Sequence, residues 1–494
     1  MNIFLILQMA AEAGPDRVAL VCDGRHWTYG KLLEAARGAA EIFFDSGCRH
    51  IALLDESSEA APIALFGAAL AGLPYVPLNY RLADEDLGAL LDRIKPAYVI
   101  GDADRVSKLS GGHTCAHREA FAAAAEAAAA RASGEEREGE GIAAQIFTSG
   151  TTAAPKAALL RHSNLLGYIL GTVEFMAAAE SDAQLVCVPP YHIAGISALL
   201  SSFYAMRRIV MLPAFDPDKW LQLAAQEQVT NAFLVPTMLA RIIARMDETG
   251  DTTLPCVQSL AYGGGRMPPE LIARALELFP NCNFTNAYGL TETSSTIALL
   301  TPEDHRTAHN SEDPKVRARL GSVGKPLPTV ELEIRDEEGR KLGPNERGEI
   351  YVRGEQVSGE YRERSALDAD GWFPTRDAGY LDDEGYLFLS GRADDVIVRG
   401  GENISPGEIE DVLTAHEAIA DAAAVGIPSV EWGEAVGIAV ALWPERAAPS
   451  EEELKSLIKD RLRSSRVPEK VVFVNTLPYN EMGKLLRREV KTLF

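Results

Sequence analysis

Short apolar runs alternate with longer stretches of helical period through the first three hundred residues, and this alternation leaves the chain few possible architectures. Runs such as VALVC (18–22) and IALLD (51–55) have the length of buried strands, and residues 29–42 have the spacing of an amphipathic helix. Strands that alternate with helices form a layered α/β sheet. With 494 residues the chain is too long for one hydrophobic core, so several domains are expected.

The pattern changes twice along the second half of the chain. After Gly321 the runs VELEIRD, GEIYVRG and YLFLSG are typical of short antiparallel strands joined by glycine-containing turns, which predicts a β-rich subdomain. Past Arg392 helical and strand patterns follow one another as in a compact α+β unit. We place the domain boundary within GRADD (391–395), and we expect residues 118–140 to form an exposed helix and a flexible link without function.

Charge and composition exclude several classes of protein. Forty-eight Lys and Arg against seventy-one Asp and Glu leave a formal net charge of -23, which disfavours nucleic acid and anionic membrane surfaces as partners. No apolar run reaches the ~18 to 20 residues needed to cross a bilayer. The six cysteines contain no CxxC pair, which is typical of reduced thiols and favours the cytoplasm.

The loop TSGTTAAPK (148–156) follows an apolar run and combines hydroxyls, a glycine and a lysine. Hydroxyl groups, inward-pointing N–H groups and a lysine can together bind a phosphate chain. The sequence has no Walker loop, GxGxxG turn, GxSxG elbow or kinase signature, so ordinary kinases, dehydrogenases and α/β-hydrolases are excluded.

A set of motifs in fixed order resembles the core motifs of the adenylate-forming superfamily, which includes acyl- and aryl-CoA ligases, peptide-synthetase adenylation domains and luciferases. The resemblance covers nearly the whole chain and includes AGLPYVPLNYRL (71–82). The other motifs are TSGTTAAPK (148–156), PPYHIAG (189–195), YGGGRMP (262–268), NAYGLTET (286–293), GEIYVRG (348–354), WFPTRD (372–377), GRADD (391–395) and NEMGK (480–484).

The resemblance implies an α/β fold with a large multi-layer αβαβα N-terminal domain, residues 1–393, and a small mobile α+β C-terminal domain, residues 394–494. It implies an ATP-dependent ligase that converts a carboxylic acid to acyl-AMP with release of pyrophosphate and then forms the thioester with coenzyme A. ATP, Mg2+ and coenzyme A are the expected cofactors. Because two anions must meet, positioning and charge neutralisation carry most of such a reaction.

The resemblance also assigns roles to individual residues of this sequence. Lys484, His192, Thr291 and Glu292 are expected to be catalytic, and Glu292 is expected to bind the metal. Asp394 is the expected hinge, and Gly400 and Gly401 are expected to approach the thiol channel. The acyl pocket is assigned to Tyr191, His192, Ile193, Gly263 and Gly265. ATP binding is assigned to Thr148, Ser149, Gly150, Thr151, Thr152, Lys156, Gly263, Gly264, Gly265, Asn286, Tyr288, Gly289, Asp377 and Arg392.

The identity of the acid and of the acceptor stays open at this point. The YHIAG segment has no Asp, which disfavours amino acids and favours a largely apolar acid of aryl, fatty or terpenoid type. A ligase that loads a carrier-protein thiol, a luciferase-like oxygenase and a non-catalytic nucleotide-binding homologue remain alternatives. The last is suggested by Ala153 and Ala157, which stand where the family commonly has glycine. A monomer or a homodimer is expected.

Overall fold

The structure, a computed structural model, describes residues 1–109, 111–148, 155–250, 256–392, 395–400, 402–444, 446–480 and 485–494. The α-helices within these ranges are α1 (Phe4–Ala13), α2 (Tyr29–Asp45), α3 (Ala60–Leu70), α4 (Asp84–Asp92), α5 (Ala103–Lys108), α6 (Arg118–Ala128), α7 (His162–Thr172), α8 (Ile193–Tyr204), α9 (Pro217–Gln226), α10 (Pro236–Thr249), α11 (Pro269–Leu278), α12 (Pro302–Asn310), α13 (Pro314–Arg317), α14 (Pro406–Thr414), α15 (Glu451–Arg461) and α16 (Arg487–Lys491).

The strands of the described residues form four sheets. They are β1 (Val18–Cys22), β2 (Arg25–Thr28), β3 (His50–Leu54), β4 (Tyr75–Pro77), β5 (Ala97–Gly101), β6 (Thr114–His117), β7 (Ile142–Thr148), β8 (Lys156–Arg161), β9 (Ala183–Val186), β10 (Arg208–Met211), β11 (Asn231–Leu234), β12 (Ser259–Gly263), β13 (Asn283–Leu290), β14 (Ser295–Leu300), β15 (Lys325–Pro326), β16 (Glu331–Arg335), β17 (Gly348–Arg353), β18 (Glu360–Tyr361), β19 (Phe373–Leu381), β20 (Leu387–Arg392), β21 (Ile397–Arg399), β22 (Glu402–Ile404), β23 (Ile419–Ser429), β24 (Gly433–Leu442) and β25 (Lys470–Val474).

Two large sheets and three layers of helices build the first part of the chain. One sheet has the strand order β15-β14-β13-β12-β11-β9-β10-β1-β2, and the other has the order β18-β8-β7-β4-β3-β5-β6. One core joins the facing sides of both sheets through α1, α3 and α8. Separate cores lie outside them, under α9 to α11 on one side and under α4 and α5 on the other. This layering confirms the predicted α/β class.

Two smaller sheets complete the fold. Strands β16, β17, β19 and β20 form the predicted β-rich subdomain, whose core also contains Tyr288. Strands β22, β21, β24, β23 and β25 form the sheet of the small C-terminal domain, with apolar cores on both faces. The boundary at residues 393/394 stays a prediction. Within the described ranges, no helix is both long enough and apolar enough to cross a membrane.

Helix ends follow the chemistry of the sequence. The side chain of Asp216 accepts a hydrogen bond from the N–H of Lys219 at the start of α9, and Pro217 occupies the first turn. Helix α10 begins with Pro236 and ends before Gly250, whose φ of 69° satisfies the left-handed C-cap. These caps fix the lengths of the helices that cover the first sheet.

The alanine-rich segment after Arg118 is not the exposed helix predicted from its composition. Helix α6 packs on α2, and Phe121 is fully buried in the main core. A Cβ atom at Gly38 would lie 1.9 Å from the carbonyl oxygen of Ala125. Small residues on both helices therefore allow a close approach, and alanine serves here as a packing surface.

Candidate active site

The ends of the β7–β8 hairpin hold the first predicted phosphate ligands. Thr148 pairs with Lys156 across the hairpin, and its hydroxyl donates to the Lys156 carbonyl oxygen at 3.5 Å. The Lys156 ammonium lies 5.6 Å from the centroid of the Tyr361 ring, a cation–π contact. The predicted contacts of Ser149, Gly150, Thr151 and Thr152 lie outside the described residues.

Glu292 is joined to this hairpin by a tyrosine that the motifs did not predict. The hydroxyl of Tyr361 donates to Glu292 Oε1 at 2.5 Å. Burial and the negative charge of Glu292 raise the pKa of Tyr361, which keeps its phenol protonated. Tyr361 lies on β18, whose register with β8 places it opposite Ala158. The pairing of β18 with β8 therefore brings Tyr361 beside Lys156. The local sequence EYRER (360–364) does not indicate this contact.

A tight turn positions Thr291 and Glu292 at the end of β13. The Thr293 hydroxyl bonds with the carbonyl oxygens of Leu290 and Ser295 at 3.0 and 2.8 Å, which ties the two sides of the turn together. A Cβ at Gly289 would lie 1.6 Å from the Ser295 carbonyl oxygen, so only glycine fits there. Ser295 has a φ of 116°, a conformation that costs about 1–3 kcal/mol and is characteristic of functional sites.

The backbone oxygen of Glu292 is also anchored. It accepts hydrogen bonds from the N–H groups of Ser358 and Gly359 at 2.8 and 3.2 Å. The carboxylate therefore projects from a backbone held on two sides. Among the described residues no cluster of three or more His, Cys, Asp or Glu side chains could hold a metal. One carboxylate beside the predicted phosphate-binding residues fits Mg2+, which commonly takes its other ligands from substrate phosphates and water.

A second cluster joins Tyr288, Asp377 and Arg392. The Tyr288 hydroxyl donates to Asp377 Oδ2 at 2.7 Å, and Arg392 Nε lies 3.1 Å from Asp377 Oδ1. Asp377 and Arg392 are paired across β19 and β20. Burial and the charge of Asp377 raise the pKa of Tyr288 well above 10. The positive charge of Arg392 acts on Tyr288 and on Tyr361, so the two clusters are neighbours.

The glycine-rich segment after β12 allows close approach of backbone. A Cβ at Gly263 would lie 2.2 Å from the Ala287 carbonyl oxygen, and Gly264 has a φ of 78°. Asn286 lies on the neighbouring strand β13, where its side-chain N–H donates to the Ser322 carbonyl oxygen at 3.1 Å. Asn286 is buried and makes a contact that orders the backbone behind the site. Its predicted contact with ATP remains a prediction.

His192 lies directly before the first residue of α8. Its ring centroid is 4.4 Å from that of Tyr191. Burial, assisted by the positive charge of Arg81, lowers the pKa of His192 to about 4, so the imidazole is neutral near pH 7. Its buried Nε2 has no hydrogen-bond partner in the part of the chain that the structure describes. A neutral imidazole nitrogen of this kind suits a polar group of a bound molecule.

The segment 189–196, which carries His192 and the start of α8, also borders a small apolar cavity of about 10 Å³. Such a volume holds about one water molecule. The cavity is lined by Ser57, Ala61, Tyr75, Val186, Val188, Pro190, Gly195, Ile196, Leu199 and Met211. Ile193 opens α8 in the same segment and packs against the main core.

The C-terminal domain carries the remaining predicted residues. Gly400 has a φ of 58°, and its N–H donates to the Trp432 carbonyl oxygen at 2.9 Å. Position 400 favours glycine, because a Cβ atom there would lie 2.9 Å from the Trp432 ring. The predicted roles of Asp394, Gly401 and Lys484 lie outside the described residues.

Ala157 does not strain the β7–β8 hairpin. It lies within β8, pairs with Phe147, and is fully buried. Its carbonyl oxygen accepts from the N–H of Arg362 at 3.0 Å, in extended backbone that any L-residue adopts. Ala157 therefore gives no structural support to the alternative of a non-catalytic homologue. Ala153 lies outside the described residues.

The layered fold and the clustered hydroxyl, lysine, carboxylate and glycine groups define an enzyme that forms acyl-adenylates. Comparison with protein families agrees: the AMP-binding enzyme family matches residues 7–362, and the AMP-binding enzyme C-terminal domain matches residues 408–484. The chain belongs to the AMP-binding enzyme family. It is an AMP-forming acid–CoA ligase, as predicted from the motifs.

Whole-length relatives support this class. The chain is 33% identical over 496 residues to the 2-succinylbenzoate–CoA ligase of Geobacillus kaustophilus, with 99% of this chain and 97% of the relative covered. The o-succinylbenzoate coenzyme A synthetase of Bacillus subtilis, solved with ATP and a magnesium ion, matches with a TM-score of 0.82 and 29% identity, covering 98% of this chain and 99% of that one. The amide bond synthetase McbA of Marinactinospora thermotolerans matches with a TM-score of 0.87, 26% identity and complete coverage of both chains.

Proposed function

We propose that the acid activated by this ligase is 2-succinylbenzoate or a closely related aryl dicarboxylic acid. The observation that carries the proposal is the 33% identity, over nearly the full length of both chains, to a 2-succinylbenzoate–CoA ligase. The expected aryl class includes this acid, whose ring is apolar. Its second carboxylate is the part that a purely apolar pocket would not accommodate.

The loop around His192 supplies polar groups for such a second carboxylate. The buried Nε2 of His192 has no partner among the described residues, and as a neutral N–H it can donate to an anion. The positive charge of Arg81, which adds to the effect of burial on the pKa of His192, acts on the same region. A monocarboxylic acid would leave the buried His192 Nε2 without a polar partner from the substrate, which favours a dicarboxylic acid.

The chemistry proceeds in two steps. One carboxylate oxygen attacks the α-phosphorus of ATP, a new P–O bond forms, and the bond to pyrophosphate breaks. The coenzyme A thiolate then attacks the acyl carbonyl, and AMP leaves with the electron pair of the broken C–O bond. Lys156 and Thr148 are proposed to contact the phosphates, and Asp377 the ribose. Mg2+ bound by Glu292 would neutralise part of the negative charge of the phosphates. The hydrogen bond from Tyr361 holds the Glu292 carboxylate in place.

A panel of acids tests the proposal with one assay. Pyrophosphate release is measured with 2-succinylbenzoate, benzoate, 4-phenylbutyrate and a medium-chain fatty acid, each with and without coenzyme A. We expect release to be fastest with 2-succinylbenzoate and a thioester to form only when coenzyme A is present. Fast release with a monocarboxylic acid and none with 2-succinylbenzoate would exclude the proposed substrate.

The acceptor is tested in the same reactions. Consumption of the acyl-AMP by coenzyme A, by a phosphopantetheinylated carrier protein and by a simple amine is compared. The amine is included because one structural neighbour is an amide bond synthetase. We expect coenzyme A to consume the adenylate fastest.

A further inference from the structure

Three carboxylates of α14, in the C-terminal domain, face arginines of the large domain. The Arg266 guanidinium pairs with Asp411 and lies 3.8 Å from Glu410 Oε2. The Arg347 guanidinium lies 3.5 Å from Glu408 Oε2. These ion pairs cross from residues of the large domain to one short helix, so they depend on how the two domains are oriented.

Glu410 and Glu408 also have partners within their own domain. Arg487 Nη2 donates to Glu410 Oε2 at 3.0 Å, and Arg466 Nε donates to Glu408 Oε1 at 2.8 Å. Glu410 is only 5% exposed and needs such a partner in every orientation. The Arg487 and Arg466 pairs lie entirely within the C-terminal domain, so they do not depend on its orientation. The pairs made by Arg266 and Arg347, by contrast, would be lost in any orientation that moves α14 away from the large domain.

Arg266 connects this helix to the centre of the site. It directly follows the glycines 263–265, which the resemblance places beside the acyl-adenylate. The negative charge of Asp421, which also belongs to the C-terminal domain, acts on Arg266 as well. The Tyr479 hydroxyl donates to Asp421 Oδ2 at 2.7 Å. Tyr479 lies five positions before Lys484 in the sequence, so the part of the C-terminal domain that precedes the expected catalytic lysine lies near Arg266.

We propose that Arg266 is a positioning residue that holds the C-terminal domain in the orientation used for adenylation, through its ion pairs with Asp411 and Glu410. An interaction present in one of two orientations shifts their populations by its own free energy. Because Arg266 and Asp411 are about half exposed, the effect is moderate, on the order of fivefold. The proposal rests on the proposed two-step function for its kinetic part only.

The test compares Arg266→Ala, Asp411→Ala and the double variant with the unaltered enzyme. Arg274→Ala is the matched control, because Arg274 is similarly exposed and pairs with Asp247 within the large domain at 2.8 Å. Two dyes on unnatural amino acids at positions 180 and 459, both exposed, report the distance between the domains by energy transfer. Pyrophosphate release and thioester formation from preformed acyl-AMP are measured separately.

We expect Arg266→Ala to shift the dye distances, to slow adenylation by about fivefold, and to leave thioester formation unchanged or faster. The double variant should be no slower than Arg266→Ala, because Arg266→Ala already removes the pair with Asp411. Raising the salt concentration should reduce the difference between variant and unaltered enzyme. Arg274→Ala should change none of these quantities.

Unchanged dye distances, or equal slowing of both half-reactions by Arg266→Ala, would overturn the proposal. The distance measurement requires no substrate. An enzyme that activates none of the acids would therefore count against the proposed function, while the distance shift would still decide the role of Arg266.

Discussion

The hydroxyl of Tyr361 lies 2.5 Å from the carboxylate of Glu292 and donates a hydrogen bond to it, while its ring faces Lys156. The two residues are separated by 69 positions in the sequence. This contact links the expected metal ligand to the expected phosphate-binding lysine through one side chain. It makes Tyr361 a residue that orients Glu292.

Tyr361→Phe removes the hydrogen bond and leaves the ring in place. A hydrogen bond to a charged group is worth about 1.5–3 kcal/mol, so we expect adenylation to slow by about tenfold, with a higher requirement for Mg2+. Pyrophosphate release measured against Mg2+ concentration checks this. Tyr380→Phe serves as the control, since Tyr380 stacks on Phe388 in the β-rich subdomain. Equal effects of both substitutions would refute the role of Tyr361.

Asp377→Ala should weaken both ATP binding and the fold. The Tyr288 hydroxyl would lose its acceptor in a buried position, which costs about 1–3 kcal/mol in the free energy of unfolding. Urea unfolding and calorimetric titration with ATP measure the two effects. Glu338→Ala, in an exposed pair with Arg340, should change the free energy of unfolding by no more than about 0.5 kcal/mol. An undiminished stability in Asp377→Ala would mean that Tyr288 finds another acceptor.

Lys484→Ala should separate the half-reactions. We expect adenylation to fall by about two to three orders of magnitude, because a cation at the developing charge is lost. Thioester formation from preformed acyl-AMP should be nearly unchanged. Single-turnover measurements of each step provide the comparison, with Lys459→Ala as an exposed control on α15. Equal loss in both steps would contradict the assigned role.

Stability should fall as the pH is lowered from about 6.5 to about 4. Burial lowers the pKa of four histidines from 6.5 to about 4; they are His50, His162, His192 and His305. The unfolded chain therefore binds protons in this range that the folded protein does not bind. Asp55 acts in the opposite direction, because burial raises the pKa of its carboxyl to about 6. Near pH 5 unfolding should take up about four protons and release about one.

The slope of the free energy of unfolding against pH measures this uptake. His162→Gln should flatten the slope by about one proton, or about 1.4 kcal/mol per pH unit, whereas the exposed His26→Gln should leave it unchanged. A slope of zero between pH 6.5 and 4 would show that these histidines are not buried in solution.

The local sequence was sufficient to predict the class of fold and to locate the motif residues. Alternating strand and helix patterns predicted the α/β layers, because periodicity reports which face of an element is buried. The motif NAYGLTET predicted Tyr288 and Glu292 as members of one site. The alanine-rich helix α6 was misjudged, since composition reports helix propensity but not the close approach to Gly38 that buries it.

The sequence alone determined the resemblance to the family, the acid-activating chemistry that the resemblance implies and the positions of the motif residues, because each of these is encoded within short contiguous segments. Only the tertiary structure decided which side chains support them. Tyr361 reaches Glu292 through the pairing of β18 with β8, and Arg266 reaches Asp411 through the orientation of two domains. Such contacts join residues that are far apart in the chain. The free energy that brings them together comes from the packing of whole elements, so a local sequence pattern does not predict them.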